Sequence, residues 1–269
     1  MADQHGPVLS VHGLRKVFGT QVAVDDVTFD LLPGRSLAIV GESGSGKTTV
    51  ARMIVGLERP TAGTIIACGR DRSRPSRNGP ERKRRGREVQ IVFQDPYSSL
   101  DPRQSGAASL DEVLRVHHDY DAVTRRRVVG GLTELVGLDQ RQINALPRDL
   151  SGGQRQRVAI ARALATDPRV LILDESVAAL DVSIQAQVLN VLADIRDERG
   201  IGYVLISHDL AVVRQLTDDA VVMRRGVVVE QRPTGELLDH PRHPYTRMLR
   251  ASVPGPGWSP ARADGSAMP

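Results

Sequence analysis

Two short stretches of this chain carry residue types whose spacing could do chemistry. Gly41-Glu42-Ser43-Gly44-Ser45-Gly46-Lys47-Thr48 fits G-x-x-x-x-G-K-[ST], and Val170-Leu171-Ile172-Leu173 ends in a carboxylate pair, Asp174-Glu175. In the first stretch, Gly41, Gly44 and Gly46 permit backbone angles that a Cβ forbids. Successive N–H groups can then turn inward onto phosphate oxygens at the positive end of a following helix. Lys47 would reach the β- and γ-phosphates, and the Thr48 hydroxyl, with Thr49 directly behind it, would bind Mg²⁺. In the second stretch, Asp174 suits Mg²⁺ through water and Glu175 suits polarising an attacking water, a base function that contributes ~10²–10⁴-fold. The chemistry these groups could carry is attack of water on a phosphoryl group.

Such groups need elements that hold them. The apolar run Leu37-Ala38-Ile39-Val40 before the Gly-rich loop, and Thr49 to Val55 after it, predict strand, turn and helix. Val170 to Leu173 reads as a strand buried on both faces of a parallel sheet, and its carboxyl end is where open α/β sheets place ligands. Adjacent strand residues diverge, so the two acids are expected to have different tasks. A further apolar run, Tyr203 to Ser207, delivers His208 to the same edge, where its imidazole could contact the γ-phosphate.

Elsewhere, Val8–Val17 and Val22–Leu32 alternate as strands of an antiparallel edge sheet, and Thr64–Gly69 and Val89–Gln94 read as further strands. From Asp95 to Asp149 the strand signal vanishes. Ser109–His118 and Asp121–Leu138 have helical spacing there. Ser183–Arg199 is an amphipathic helix with Ile184, Val188, Val191, Leu192 and Ile195 on one face. Val221–Met223 and Val227–Glu230 suggest a hairpin about Arg225-Gly226. From Pro254 onward, Pro, Gly, Ser and Ala dominate, which predicts a disordered tail over 254–269.

Taken together, these motifs resemble those of the nucleotide-binding subunit of ABC transporters, over roughly Val8 to Val253. The resemblance makes Gly41–Thr48 the Walker A motif, Gln94 the Q-loop glutamine and a Mg²⁺ contact, and Leu150-Ser151-Gly152-Gly153-Gln154 the signature. It makes Asp174-Glu175 the end of Walker B, Ala179-Leu180-Asp181 the D-loop and His208 the switch histidine. Phe18 falls where the family sets an aromatic against adenine, the physics being stacking on a base. The implied fold is α/β: a P-loop NTPase, RecA-like core with an antiparallel β subdomain. A helical signature subdomain is inserted at about 95–150 of a 1–253 domain. In the family two subunits meet head to tail, ATP on one Walker A touching the signature of the other. The residues agree with that arrangement. Ser151-Gly152-Gly153 precedes a predicted helix, Gln154–Ala165, whose N-terminus is a second anion site, with Gln154, Arg155 and Arg157 expected near its edge.

A closer resemblance is to the oligopeptide, dipeptide and nickel branch of importers. It rests on Val92 to Arg103 (VFQDPYSSLDPR), on Ala179–Gln187 and on His243-Pro244-Tyr245-Thr246. It implies an ATPase energising import of peptides or related small solutes. Nickel or metal-chelator import stands as the alternative, and a soluble non-transport ATPase behind both. The implied partners are a second ATPase chain in a homo- or heterodimer, two transmembrane permease subunits and, indirectly, an extracytoplasmic solute-binding protein. No nucleic acid is implied. Ser176-Val177-Ala178 departs from the usual Pro-Thr-Ser.

The 269 residues suffice for one large α/β domain with an insertion. No apolar run approaches the ~20 residues that span a bilayer, and the polar start MADQHGPVLS has no signal-peptide character. The expectation is a peripheral protein at the cytoplasmic face of the cell membrane. One cysteine, Cys68, fits a reducing compartment and excludes an internal disulfide. The net charge of +4 is uneven: Arg70 to Arg87 holds nine Lys or Arg against two acids. It reads as an exposed loop, either simply solvated or facing anionic headgroups or a permease loop. Aromatic residues for base stacking are absent from it, which argues against nucleic acid. His117-His118-Asp119 does not converge on a metal, since helical neighbours diverge by ~100°.

Overall fold

In the computed structural model, described for residues 6–95, 99–176 and 182–251, the apolar runs become the strands of two sheets. The strands β1 (Leu9–Phe18), β2 (Gln21–Leu31), β4 (Ala62–Ala67) and β5 (Arg70–Asp71) form an antiparallel sheet in the order β2-β1-β4-β5. The strands β3 (Ser36–Val40), β6 (Val89–Val92), β7 (Val170–Asp174), β8 (Gly202–Ile206), β9 (Asp219–Arg224) and β10 (Val227–Pro233) form the second, in the order β10-β9-β3-β8-β7-β6. Its pairings are parallel except for the β9–β10 hairpin at one edge.

The continuous apolar character of β3, β7 and β8 follows from cover on both faces. Leu37, Ile39, Ile172, Val204 and Ile206 pack with Val50, Met53 and Ile54 of α1 (Lys47–Val55) and with the inward residues of β1 and β2. Ala38, Val40, Leu171, Leu173, Tyr203 and Leu205 face the opposite layer. Burying each large aliphatic side chain stabilises by roughly 1.5–3 kcal/mol. Alternation along each strand therefore commits both faces and fixes the register. That register lines up strand ends: Ile39 pairs with Ile206, and Ile206 with Asp174. The Gly-rich loop, the acid pair and His208 thus leave the sheet along one carboxyl edge.

Between β6 and β7 the described chain is helical, as its lost strand signal predicts. The helices are α3 (Gly106–His117), α4 (Ala122–Leu135), α5 (Gln140–Asn144), a 3₁₀ turn Pro147–Asp149 and α6 (Gly152–Leu164). Leu110, Leu114, Leu132, Ile143 and Val158 share one core with the sheet. The helix α6 begins on a capping box: the Ser151 hydroxyl accepts the Gln154 N–H at 3.3 Å, and the Gln154 side chain accepts the Ser151 N–H at 2.8 Å. It packs tightly on α7 (Val182–Arg199), where a Cβ on Gly153 would stand 2.3 Å from Ile184 Cγ2. Three helices follow: α8 (Leu210–Leu216), α9 (Thr234–Asp239) and α10 (Pro244–Ala251). Among the described residues no helix is long and apolar enough to cross a membrane. The D-loop residues Ala179-Leu180-Asp181 and the predicted disordered tail lie outside the described residues.

Three expectations are corrected. The basic stretch Arg70–Arg87 is not an exposed loop. It contains β5 and a helix, α2 (Gly79–Glu88), and its Arg72 is buried. Composition hid the local helix signals. Asn78 caps the Glu81 N–H at 2.9 Å, Pro80 sits in the first turn, and the i,i+4 pairs Glu81–Arg85 (2.6 Å) and Arg84–Glu88 (3.4 Å) offset the crowding of like charges. Secondly, Arg155 stays beside the signature residue Leu150 but does not face out at that edge. It turns inward, and its guanidinium donates to Leu150 O. Arg157, partly exposed, bonds Gly137 O at 3.1 Å and Gln187 at 2.7 Å. Thirdly, the strand expected to reach Gln94 stops at Val92, leaving Gln94 exposed beyond the sheet edge. His118 Nε2 lies 3.0 Å from Ala165 O, and its ring stacks on Tyr120. Asn78→Ala should remove the cap of α2 and lower stability by about 1 kcal/mol. Urea unfolding checks this; an unchanged midpoint would mean that α2 does not depend on its cap.

Candidate functional site

The Gly-rich loop is clamped between the two sheets. A Cβ on Gly41 would stand 2.2 Å from Met223 O, and one on Gly46 2.5 Å from Ala23 O; both residues have positive φ. Only glycine lets the loop pass this close to backbone on either side. Gly226 N donates to Ser45 O at 3.1 Å, tying the β9–β10 turn to the loop. Beside the loop lies a cleft of about 440 Å³ lined by Phe18, Gln21, Val22, Ala23, Ser43, Gly44, Gly46, Lys47, Thr48, Thr49, Glu175 and Arg225. Phe18 is 45 % exposed with Lys16 Nζ 4.6 Å from its ring centre, so one aromatic face is held at the rim.

Inside the loop, Lys47 is buried and its ammonium donates to Gly41 O and Glu42 O, each at 2.8 Å. Burial pulls its pKa below the usual lysine value, with Glu175, Asp174 and Glu42 opposing that pull. Thr48 Oγ1 donates to Asp174 Oδ1 at 3.3 Å. Burial raises the Asp174 carboxyl above the usual carboxylate range, the Thr48 hydrogen bond lowers it and Glu175 adds to the rise. Glu175 follows in a left-handed conformation, φ 47°, with its N–H on Ile206 O at 2.9 Å. The two acids therefore diverge because the backbone turns after β7, rather than by strand alternation alone. Glu175 Oε1 lies 3.5 Å from His208 Nδ1. One edge thus gathers a phosphate-sized cradle, a hydroxyl–carboxylate pair suited to a hard cation, and a carboxylate–imidazole pair open to water. The donor set fits a Mg-nucleotide: N–H groups, an ammonium and hard oxygens.

Two sets of expected residues lie elsewhere. Gln94 lies two residues beyond Val92, the end of β6 and the register partner of Leu173, and does not line the cleft. Ser151, Gly152, Gly153 and Gln154 begin α6 and do not line it either. Two participants escaped the sequence reading. Arg225, noted only as a turn residue, lines the cleft. Tyr245, noted only as a mark of the C-terminal stretch, is buried, and its hydroxyl accepts the Glu42 N–H at 3.1 Å beneath the guanidinium of Arg224. The signal available for Tyr245 was its chemistry, since a buried phenol in an otherwise polar segment needs a partner. Its segment is anchored by Glu230, whose carboxylate accepts the N–H groups of Arg242 and His243, each at 3.0 Å.

Two outcomes follow. Asp174→Asn should raise the melting temperature of the nucleotide-free chain at neutral pH, because it removes a buried carboxylate whose charged form the fold disfavours. That gain should shrink as pH falls through the raised pKa of the folded state and be largely gone below about 4, where the aspartate of the unfolded chain is also neutral; a Tm lowered at pH 7 would contradict the sign. Tyr245→Phe should weaken nucleotide affinity several-fold, since the freed Glu42 N–H loosens the loop, at a cost of about 1 kcal/mol. Equilibrium binding of ATP measures it, and wild-type affinity would show that the hydroxyl does not shape the loop.

The model of the ABC transporter family matches residues 24–178, and that of the oligopeptide/dipeptide transporter C-terminal region matches residues 229–265. The chain is 44 % identical over 263 residues to the glutathione import ATP-binding protein GsiA of Salmonella typhimurium, covering 92 % of this chain and 41 % of that protein. It therefore spans about two-fifths of the length of those relatives. It is 41 % identical over 262 residues to the dipeptide transport ATP-binding protein DppF of Haemophilus influenzae, covering 93 % and 79 %. Among solved structures, the dimeric post-hydrolysis state of the ATP-binding cassette MJ0796 bound to ADP and Pi aligns with a TM-score of 0.76 and 27 % identity, over 84 % of this chain and 98 % of that one. With more than half of its residues in the family match and its loop, acid pair and histidine on one sheet edge, this chain belongs to the ABC transporter family of ATP-binding cassettes.

Proposed function

We propose that the chain is the ATP-hydrolysing subunit of an importer for peptides or kindred small solutes. The observation that carries this reading is the edge where Lys47, the Thr48–Asp174 pair and the Glu175–His208 pair converge beside Phe18. The C-terminal match and the relatives named for glutathione and dipeptide support peptide-like cargo over nickel.

In this reading, the adenine of ATP rests on Phe18 and its phosphates sit among the N–H groups of Gly41 to Thr49. Lys47 transfers its ammonium from the loop carbonyls to phosphate oxygens. Thr48 and Asp174, with Gln94, would hold Mg²⁺, which when bound supplies charge to the phosphate oxygens. Glu175 aligns the water and takes its proton; His208, already beside Glu175, meets the γ-phosphate. The Ser151-Gly152-Gly153 turn, absent from this cleft, serves the nucleotide held by a second ATPase chain, identical or related. Closure between the two excludes water and lets fixed dipoles stabilise the transferring charge. Two transmembrane permease subunits would take up the motion near Gln94 at the cytoplasmic face, with an extracytoplasmic binding protein delivering the solute.

Glu175→Gln is expected to leave ATP affinity within a few-fold of wild type while turnover falls by ~10²-fold or more. Phosphate release and nucleotide binding, measured on the same preparation, check both halves. Turnover within a few-fold of wild type would remove Glu175 from the role of base.

A further inference from the structure

We propose that a second, cationic pocket at the far end of α1 binds a small phosphorylated solute, with Arg72 as its buried anchor. A cavity of about 300 Å³ lies between the turn Gly56–Arg59, which follows α1, the segment Arg72–Ser76 and the face of α2 carrying Arg82 and Arg85. By ~30 Å³ per water it has room for roughly ten waters, more than an orthophosphate needs and close to a small metabolite.

Its chemistry is set by arginine. Arg72 is 5 % exposed. Its Nη2 donates to Arg85 O at 3.2 Å, while its buried Nε and Nη1 have no hydrogen-bond partner among the described residues. Buried guanidinium N–H groups without acceptors are rare in folded proteins, and an ion at the site is one ordinary explanation. Glu88 attracts Arg72, but its carboxylate is engaged by Arg70 at 3.0 Å and Arg84 at 3.4 Å. Burial lowers the Arg72 pKa to about 10, so it stays cationic at neutral pH. Arg59, Arg74 and Arg82 add exposed guanidinium groups to the wall, and none has a carboxylate partner among the described residues. Arg85 is held by Glu81 at 2.6 Å. The sole acid in the lining, Glu58, is paired with Lys16 at 3.0 Å. The negative end of α1 is partly quenched, because Arg52 O and Met53 O accept N–H bonds from Gly56, Leu57 and Glu58.

This arrangement suits a dianion bearing a compact body, recognised by several guanidinium groups at once. A recessed anchor favours a soluble ligand over a flat anionic bilayer. An occupant would tie the end of α1, whose start is the phosphate loop, to α2, which leads into β6 and Gln94. The site is independent of the transported cargo and of the cleft beside Phe18.

The test is calorimetric titration of inorganic pyrophosphate onto the full chain already saturated with MgADP, so that the Gly-rich loop is filled. Wild type should bind one further equivalent saturably. Arg72→Met should weaken that binding at least tenfold. The double variant Arg74→Ala/Arg82→Ala should do the same; its substituted residues are exposed, so it reports even if Arg72→Met does not fold. Absence of saturable binding, or equal affinity in the double variant, would overturn the proposal. So would sedimentation of wild type with phosphatidylglycerol vesicles without pyrophosphate binding, which would assign the arginines to a lipid surface.

Discussion

A buried ammonium without a bonded carboxylate organises the nucleotide cleft. Among the described residues, Lys47 sits inside the loop with only the carbonyls of Gly41 and Glu42 as hydrogen-bond acceptors. Removing an ion from water costs several kcal/mol unless partners replace the solvent. Two neutral carbonyls and three acids acting at longer range offset that cost in part, as its lowered pKa reflects. The cation is thus held where a phosphate would complete its coordination. Everything nearby serves this arrangement. Met223 O and Ala23 O leave room only for glycine at 41 and 46, and the sheet register brings Asp174 and Glu175 within electrostatic reach.

The second organising fact is what the cleft lacks. The helix start at Ser151 has the form of an anion site, with its capping box formed and its glycines packed on α7, yet it does not line the cleft beside Lys47. A helix N-terminus that stands apart from its own chain's Gly-rich loop makes physical sense when another chain brings a phosphate to it. The far end of the sheet adds a different dependency. Strand β10 supplies Glu230, Glu230 fixes the backbone at Arg242 and His243, and that backbone delivers Tyr245 to the loop at Glu42. The segment matching the oligopeptide/dipeptide transporter C-terminal region is thereby part of the phosphate loop's support.

Much of this was legible in the residues because burial leaves a simple mark. Strands covered on both faces read as unbroken apolar runs, so β3, β7 and β8 could be placed to within a residue or two, and with them Lys47, Asp174, Glu175 and His208. The helix after Ser151-Gly152-Gly153 was visible too, expected from Gln154 and found from Gly152, whereas its capping box came only with the structure. The helix α2 was not, because nine basic residues in eighteen masked one Asn cap and two i,i+4 pairs. The reach of Tyr245 was hidden because its partner Glu42 lies 203 residues away and leaves no periodic trace; the inward turn of Arg155 onto Leu150 O, only five residues back, was hidden because burial of an arginine leaves no mark in composition. The left-handed turn at Glu175 likewise depends on β8 beside it rather than on its own residue type.

The most direct test is the structure of the Glu175→Gln chain crystallised with MgATP. Lys47 Nζ should then have moved from the carbonyls of Gly41 and Glu42 onto phosphate oxygens, and each nucleotide should be touched by the Ser151-Gly152-Gly153 turn of a second copy. A single chain enclosing the whole nucleotide with no second copy at its γ-phosphate, or Lys47 still bonded to the loop carbonyls with ATP in place, would contradict this.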